Sequence, residues 1–313
     1  MKRTRRQFIR GSGILAGGVL ARPLAAAAAQ PTTTAAATPG ARFRRLLDAG
    51  EPIQCPVIHD VISAKLSALH GFPMILAGGS AISQAQFGMG DFGMLTITEM
   101  IELTARLADP VDLPIIADGD DGGGNPLNVA RAVRMFERAG AACVLIEDLY
   151  GAKHLGSLGN GNLLPADAMV DKIHAAADAR RDKAFAILAR CDAPQAEAWD
   201  RVAAYADAGA DIIMVGSIPL EETPRVVERT KKPLLTTRNA PVAELKKHRV
   251  SIAVYSGPLL NAAVGAMDRV LREIKATGVV AGASTTDREL MPKLTDREAS
   301  VAAARKYNAL RRL

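Results

Sequence analysis

From residue 53 onward the chain repeats one pattern: a short apolar run, a polar or glycine-rich end, then a stretch with apolar residues at helical spacing. The apolar runs fall at 53–59, 74–77, 113–117, 143–146, 184–189, 211–215, 233–236 and 251–255. Most are continuous rather than alternating, the pattern of parallel strands buried on both faces. Helical spacing occupies 61–70, 98–107, 126–139, 165–180, 196–208, 220–230, 242–248 and 259–276. Thr96-Ile97-Thr98-Glu99 is a helix-start signal, and Gly140, Gly209 and Gly278 stand just past helix ends. Eight strands alternating with eight helices over about 225 residues predict an α/β fold, a (β/α)8 TIM-type barrel. A further helical segment follows at 296–310, beyond a polar linker near 282–287. A doubly wound open sheet is the alternative, but it calls for a glycine-rich phosphate turn after its first strand, and here that turn reads His59-Asp60-Val61.

Composition agrees with a large core, since 49% of residues are hydrophobic. The formal charge of +6 is a property of one end. Residues 1–30 contain Lys2, Arg3, Arg5, Arg6, Arg10 and Arg22 and no acid; without those six the chain carries 33 basic and 33 acidic residues. The body therefore offers no global attraction for nucleic acid. Arg5-Arg6 followed by an interrupted apolar stretch and an alanine run to Ala29 reads as a twin-arginine export signal. Gly17, Gly18, Arg22 and Pro23 break the stretch, so a membrane anchor of about 20 apolar residues is a poor fit and no stable insertion is expected after cleavage. The organisation that follows is a signal peptide at 1–29, a flexible linker at 30–41, a catalytic barrel at 42–280 and a helical tail at 281–313, with the mature protein periplasmic or exported. Cys55, Cys143 and Cys191, an odd number in apolar surroundings, read as buried thiols rather than a disulfide framework.

The active site of a TIM barrel lies at the C-terminal ends of its strands. Those ends read His59-Asp60, Gly78-Gly79-Ser80, Asp118-Gly119-Asp120-Asp121-Gly122-Gly123-Gly124-Asn125, Glu147-Asp148 and Arg190-Cys191-Asp192. Carboxylates focused on one point repel one another unless a cation sits among them, and an all-oxygen set favours Mg2+ or Mn2+ over zinc. Arg190 suits a substrate carboxylate, and the Gly78–Ser80 turn can offer backbone N–H groups to a developing oxyanion. Together these describe a site for a 2-oxo acid and its enolate. The Asp/Gly run taken alone is equally a plain turn, and an EF-hand is excluded because Gly122 and Val129 fall where that loop needs an acid or amide and a glutamate.

The segment from Asp118 to Asn125, with Asn128 after it, resembles the metal-binding segment of the isocitrate lyase/phosphoenolpyruvate mutase superfamily. Ile146-Glu147-Asp148, Leu188–Ala193, Gly78–Ser80 and Asp91 before Leu95–Glu99 carry the same resemblance, which runs from about residue 43 to 310. It implies a Mg2+ held by Asp118, Asp120 and Glu147, substrate contacts at Gly78, Gly79, Ser80, Asp91, Asn125 and Arg190, and a homo-oligomer, a dimer or a tetramer that exchanges a C-terminal helix. Two departures bear on the reaction. Asp121 and Gly123 stand where the family has Thr and Tyr. The C–C lyases carry a Lys-Lys/Arg-Cys-Gly-His loop after strand four, whereas here it reads Ala152-Lys153-His154-Leu155-Gly156-Ser157; leucine cannot replace the proton-transferring thiol. The loop is most similar to that of the oxaloacetate decarboxylase-like subgroup, although a histidine that subgroup has after strand eight aligns with Gly257.

The reading is a carbon–carbon lyase, foremost a carboxy-lyase of a small 2-oxo dicarboxylate such as oxaloacetate, with Asp60, Lys153, His154 and Arg190 as catalytic candidates. A substituted-malate lyase and a phosphonopyruvate-processing enzyme are the alternatives within the class. An exported 2-oxo acid binding protein without catalysis is the alternative outside it.

Overall fold

The computed structural model describes residues 37–151, 153, 162–280 and 286–307. The leader, most of the linker and His154 lie outside them. Among the described residues no helix is long and apolar enough to cross a membrane.

Eight strands close into one parallel barrel in sequence order: β1 Ile53–Ile58, β2 Ile75–Ala77, β3 Ile115–Asp118, β4 Cys143–Glu147, β5 Ala186–Cys191, β6 Ile212–Val215, β7 Leu234–Thr236 and β8 Ile252–Tyr255. All eight coincide with the apolar runs, and their buried faces explain why those runs are continuous. Side chains alternate across each strand. One set, with Cys55, Ile116, Leu145, Leu188, Met214 and Val254, fills the barrel; the other, with Ile58, Ile115, Ile146, Ile187 and Ile213, packs under the helices.

The helices between the strands are α2 Val61–Leu69, α3 Gly79–Ile82 running into a π-helical turn at Ser83–Phe87, α4 Ile97–Ala108, α5 Pro126–Arg138, α6 Ala166–Ala179, α7 Gln195–Asp207, α8 Thr223–Thr230 and α9 Val242–Lys247. They are preceded by α1 Pro39–Asp48 and followed by α10 Pro258–Thr277, α11 Thr286–Leu294 and α12 Arg297–Lys306. Thr96 and Glu99 form a reciprocal capping box on α4, as their spacing predicts.

The structure departs from the sequence-based expectations at both ends of the barrel. The stretch read as linker ends at the N-terminus of α1, where the Thr38 hydroxyl caps Ala41 N–H and Pro39 takes the first helical position. Helix α1 stoppers the bottom of the barrel: Phe43 is fully buried within the interior cluster, and Gly40 lies so close to Ala184 that a Cβ would meet its backbone at 2.7 Å. Beyond the barrel, two helices stand where one was expected, and α11 begins inside the polar linker near 282–287. Helix α10 buries only Leu260, while Val264, Met267, Leu271 and Ile274 on it are exposed.

Candidate active site

Strand alternation decides which side chains enter the mouth of the barrel. Ile116, Leu145, Leu188 and Met214 face its interior, so the next inward positions up the strands are Asp118, Glu147, Arg190 and Gly216. Glu147 and Arg190 are cross-strand partners in the ladder. Arg190 Nη1 lies 3.3 Å from Glu147 Oε2, and its Nε and Nη2 donate to Asp192 Oδ1 at 3.0 and 2.7 Å. Asp118 Oδ2 accepts the Gly79 N–H at 2.8 Å. A Cβ at Gly79 would stand 3.0 Å from that oxygen, so the close approach of the β2 turn to the carboxylate favours glycine there. Asp120 sits in the left-handed region at φ 46°, conformational strain tolerated where the fold over-determines it. Its carbonyl accepts Glu147 N–H at 2.8 Å, which locks the segment after β3 to the end of β4.

Lys153 brings a cation to this group. Its ammonium touches Asp120 and lies 3.2 Å from Glu147 Oε1 and 3.4 Å from Asp91 Oδ1. Burial works against the charge on Lys153, yet Asp118, Glu147 and Asp120 outweigh it and hold its pKa well above the ordinary value. Burial pushes Glu147 up to about 8 against the pull of Lys153 and Arg190, and burial with Asp118 pushes Asp120 up to about 6. A cavity of about 350 Å³ opens on this cluster, lined by Thr96, Asp120, Glu147, Tyr150 and Lys153 among others.

Among the described residues no three His, Cys, Asp or Glu side chains are gathered tightly enough to hold a metal by themselves. The donor chemistry nonetheless fits a hard cation. The set is all carboxylate, it already surrounds one cation in Lys153, and Glu147 Oε2 is buried without a hydrogen bond. Asp118, Asp120 and Glu147 are the residues that would hold Mg2+.

The other expected site residues separate into two groups. Asp91 joins the Lys153 cluster. Gly78, Gly79 and Ser80 stand at the start of α3, but the Gly79 N–H is engaged by Asp118 rather than free for an oxyanion. Asn125 is the N-cap of α5, its Oδ1 accepting from Leu127 and Asn128. Asp60 caps α2 through Ser63 and lines, with His59, Phe72 and Tyr255, a different and mostly apolar groove of about 420 Å³. The carboxylate cavity therefore gathers Asp120, Glu147 and Lys153, with Arg190, Asp91 and Asp118 against them, and leaves Asp60 out.

Two supporting elements escaped the sequence reading. Lys172 is buried on α6 and donates to the Asp121 carbonyl at 2.8 Å, with Asp121 Oδ2 at 3.7 Å. Burial lowers its pKa against the pull of Asp121. The available signal was a lysine inside the apolar stripe Met169, Ile173, Ala176. The second is Asp148, fully buried, which accepts from the Asp192 N–H at 2.8 Å and the Tyr205 hydroxyl at 2.7 Å, with Arg201 at 3.5 Å. It fixes the backbone that aims Asp192 at Arg190.

The raised carboxylates set a pH dependence. A carboxyl whose folded-state pKa exceeds its ordinary value contributes stability below that ordinary value and loses it as pH rises through the folded one. For Glu147 the window runs from 4.5 to about 8. The metal-free protein should lose thermal stability across it, Glu147→Gln should flatten the loss, and Mg2+ should raise the melting temperature more at pH 8 than at pH 6. Equal Mg2+ stabilisation at both pH values would contradict this assignment.

Residues 43–275 match the phosphoenolpyruvate phosphomutase family. Among curated proteins, the chain is 33% identical to 2,3-dimethylmalate lyase of Eubacterium barkeri, over 79% of this chain and 89% of that one. It is 36% identical to an oxaloacetate decarboxylase of Pseudomonas paraeruginosa, over 85% and 95%. Among solved structures, phosphonopyruvate hydrolase in complex with oxalate and Mg2+ superposes with a TM-score of 0.78 at 29% identity, covering 87% of this chain and 99% of that one. With its barrel closed in sequence order and this family match across most of it, the chain belongs to the phosphoenolpyruvate phosphomutase family and is an enzyme of the PEP mutase/isocitrate lyase superfamily.

Proposed function

We propose that the protein is a Mg2+-dependent carboxy-lyase of a small 2-oxo dicarboxylate, with oxaloacetate the leading substrate. The observation that carries this reading is the pairing of Arg190 with Glu147 at the mouth of the barrel, beside Asp118 and Asp120, in a chain whose fourth-strand loop has Leu155 at the thiol position. Mg2+, when bound, supplies the Lewis acid that polarises the 2-oxo group and accepts the charge left as CO₂ departs. The chain's own residues do the rest. Arg190, oriented by Asp192 and paired with Glu147, is the guanidinium proposed to meet the substrate's carboxylate. Lys153, whose surrounding carboxylates keep it protonated, acts as a fixed positive charge rather than as a proton donor. Asp118, Asp120 and Glu147 are the proposed metal ligands.

Pyruvate should appear from oxaloacetate faster than Mg2+ alone produces it, and Asp120→Ala should cut that rate by about 100-fold or more. If oxaloacetate is untouched while a substituted malate or phosphonopyruvate is turned over, the carboxy-lyase assignment is replaced by that activity.

A second copy of this chain is the proposed partner. Helix α10 presents Val264, Met267, Leu271 and Ile274 to solvent, and the apolar groove at Phe72 and Tyr255 opens beside the start of the same helix. A face of this kind marks an interface. Light scattering should show a dimer or tetramer that Leu271→Asp with Met267→Asp dissociates; a monomeric parent protein would refute the assembly.

Residues 1–29 are proposed to direct export by the twin-arginine route. Replacing Arg5 and Arg6 with lysine should retain the protein in the cytoplasm, and unchanged export after fractionation would refute that route.

A further inference from the structure

One side chain of α7 meets both ends of the chain that connects β4 to α6. The connection leaves the strand at Asp148 and returns at Leu164, and Lys153 lies on it. Its two ends run antiparallel. Leu164 N–H donates to the Asp148 carbonyl at 2.8 Å, Tyr150 N–H donates to the Asn162 carbonyl at 3.0 Å, and Leu149 pairs with Leu163 between them. Arg201 stands against this neck. Its Nη1 donates to the Leu164 carbonyl at 2.8 Å and to the Tyr205 hydroxyl at 3.2 Å, with Asp148 Oδ2 at 3.5 Å. Arg201 and Tyr205 stand four residues apart on α7 and so share a face. The Tyr205 hydroxyl passes the contact on, donating to Asp148 Oδ2 at 2.7 Å.

Asp148 and Tyr205 are fully buried, and the Arg201 side chain is 11% exposed. Water does not readily replace these bonds, so loss of one partner leaves buried polar groups unmet. The network reaches the two cations of the site by separate routes. Towards the connection, the closed neck fixes where Lys153 begins its approach to Asp91, Asp120 and Glu147. Towards β5, Asp148 Oδ1 accepts the Asp192 N–H at 2.8 Å, and Asp148 N–H donates to the Arg190 carbonyl at 3.2 Å. Asp192 in turn orients the Arg190 guanidinium. Neither Arg201 nor Tyr205 lines the carboxylate cavity.

We infer that Arg201 and Tyr205 are positioning residues, a buried buckle on α7 that closes the neck of the β4–α6 connection and so sets Lys153 and Arg190 together against the acids. The part played by Arg190 rests on the proposed 2-oxo acid reading, whereas that of Lys153 stands on the geometry alone.

Two measurements on the full-length protein separate positioning from plain stability. Trypsin cuts after Lys153 only when that side chain leaves the acids, so the rate of this cut under native conditions, followed by mass spectrometry, reads the neck. Calorimetry with oxalate at saturating Mg2+ reads the Arg190 side. Arg201→Met should speed the cut after Lys153 by about tenfold or more and weaken oxalate by about tenfold, with Arg201→Lys and Tyr205→Phe in between. Val202→Ala, a substitution of a buried core residue on the same helix, should lower the melting temperature and leave both readings nearly unchanged. Should Arg201→Met fail to fold, Arg201→Lys and Tyr205→Phe decide, with both readings shifted in the same direction. Rapid cutting of the unaltered protein after Lys153, cutting no faster in these variants than in Val202→Ala, or a change in one reading without the other would overturn the inference. If oxalate does not bind the unaltered protein, the 2-oxo acid reading falls, and the cut after Lys153 alone decides the buckle.

Discussion

Everything at the mouth of this barrel answers to the crowding of negative charge. Two carboxylates about 4 Å apart repel by roughly 4 kcal/mol where the effective dielectric constant is about 20. Asp91, Asp118, Asp120 and Glu147 surround a single ammonium, and Glu147 is almost completely buried. Such a set is relieved by compensating positive charge and, at Glu147, by burial that favours the protonated carboxyl. The sequence supplies that charge from three directions: Lys153 from the β4 loop, Arg190 from β5 and Lys172 from α6. Each cation reaches the acids from a different element, so the countercharges also tie the ends of β3, β4 and β5 and helix α6 into one unit.

The same crowding explains the conformations around it. Asp120 accepts a left-handed backbone because its carbonyl must meet the Glu147 N–H while its carboxylate meets Lys153. Glycine suits position 79 because the Asp118 carboxylate stands only 3.0 Å from where a Cβ would lie. Asp148, one residue beyond Glu147, turns away from the cavity to anchor Asp192 and Tyr205, so adjacent acids on one strand divide into one that faces the chemistry and one that positions it.

How much of this the sequence could show depended on whether the cause was local. The strands were legible because burial on both faces leaves continuous apolar runs, and their boundaries moved by only a residue or two where ladder hydrogen bonds rather than hydrophobicity set the end. The acids and Arg190 were legible because strand ends define the site of a barrel. Helix α1 was hidden because Thr38-Pro39-Gly40 continues a Thr/Ala/Pro-rich composition, and only the contact with Ala184 shows why Gly40 belongs in a helix. Asp60 looked like a site residue from its place after β1, but Ser63 three residues on makes it a helix cap, and the spacing alone fitted both roles. Lys172 reads as an anomaly in an apolar stripe until the fold brings it to Asp121, where the sequence departs from the superfamily's usual threonine.

That departure and the open position at Gly216 divide the mouth by purpose. The ends of β3 to β5 are filled, paired and held by buried partners, so substitutions there disturb several contacts at once. The ends of β6 and β7 are sparsely filled, with Gly216 facing empty space and the Arg238 side chain held only by backbone carbonyls. A change there alters shape or charge without leaving a buried group unpaired, and therefore at little cost to stability. Chains sharing this barrel include a dimethylmalate lyase, an oxaloacetate decarboxylase and a phosphonopyruvate hydrolase. The acids those names specify share a carboxylate beside an oxygen-bearing carbon and differ at and beyond that carbon, and a rigid charged half facing an adjustable half is a physical basis on which one barrel can serve such a range.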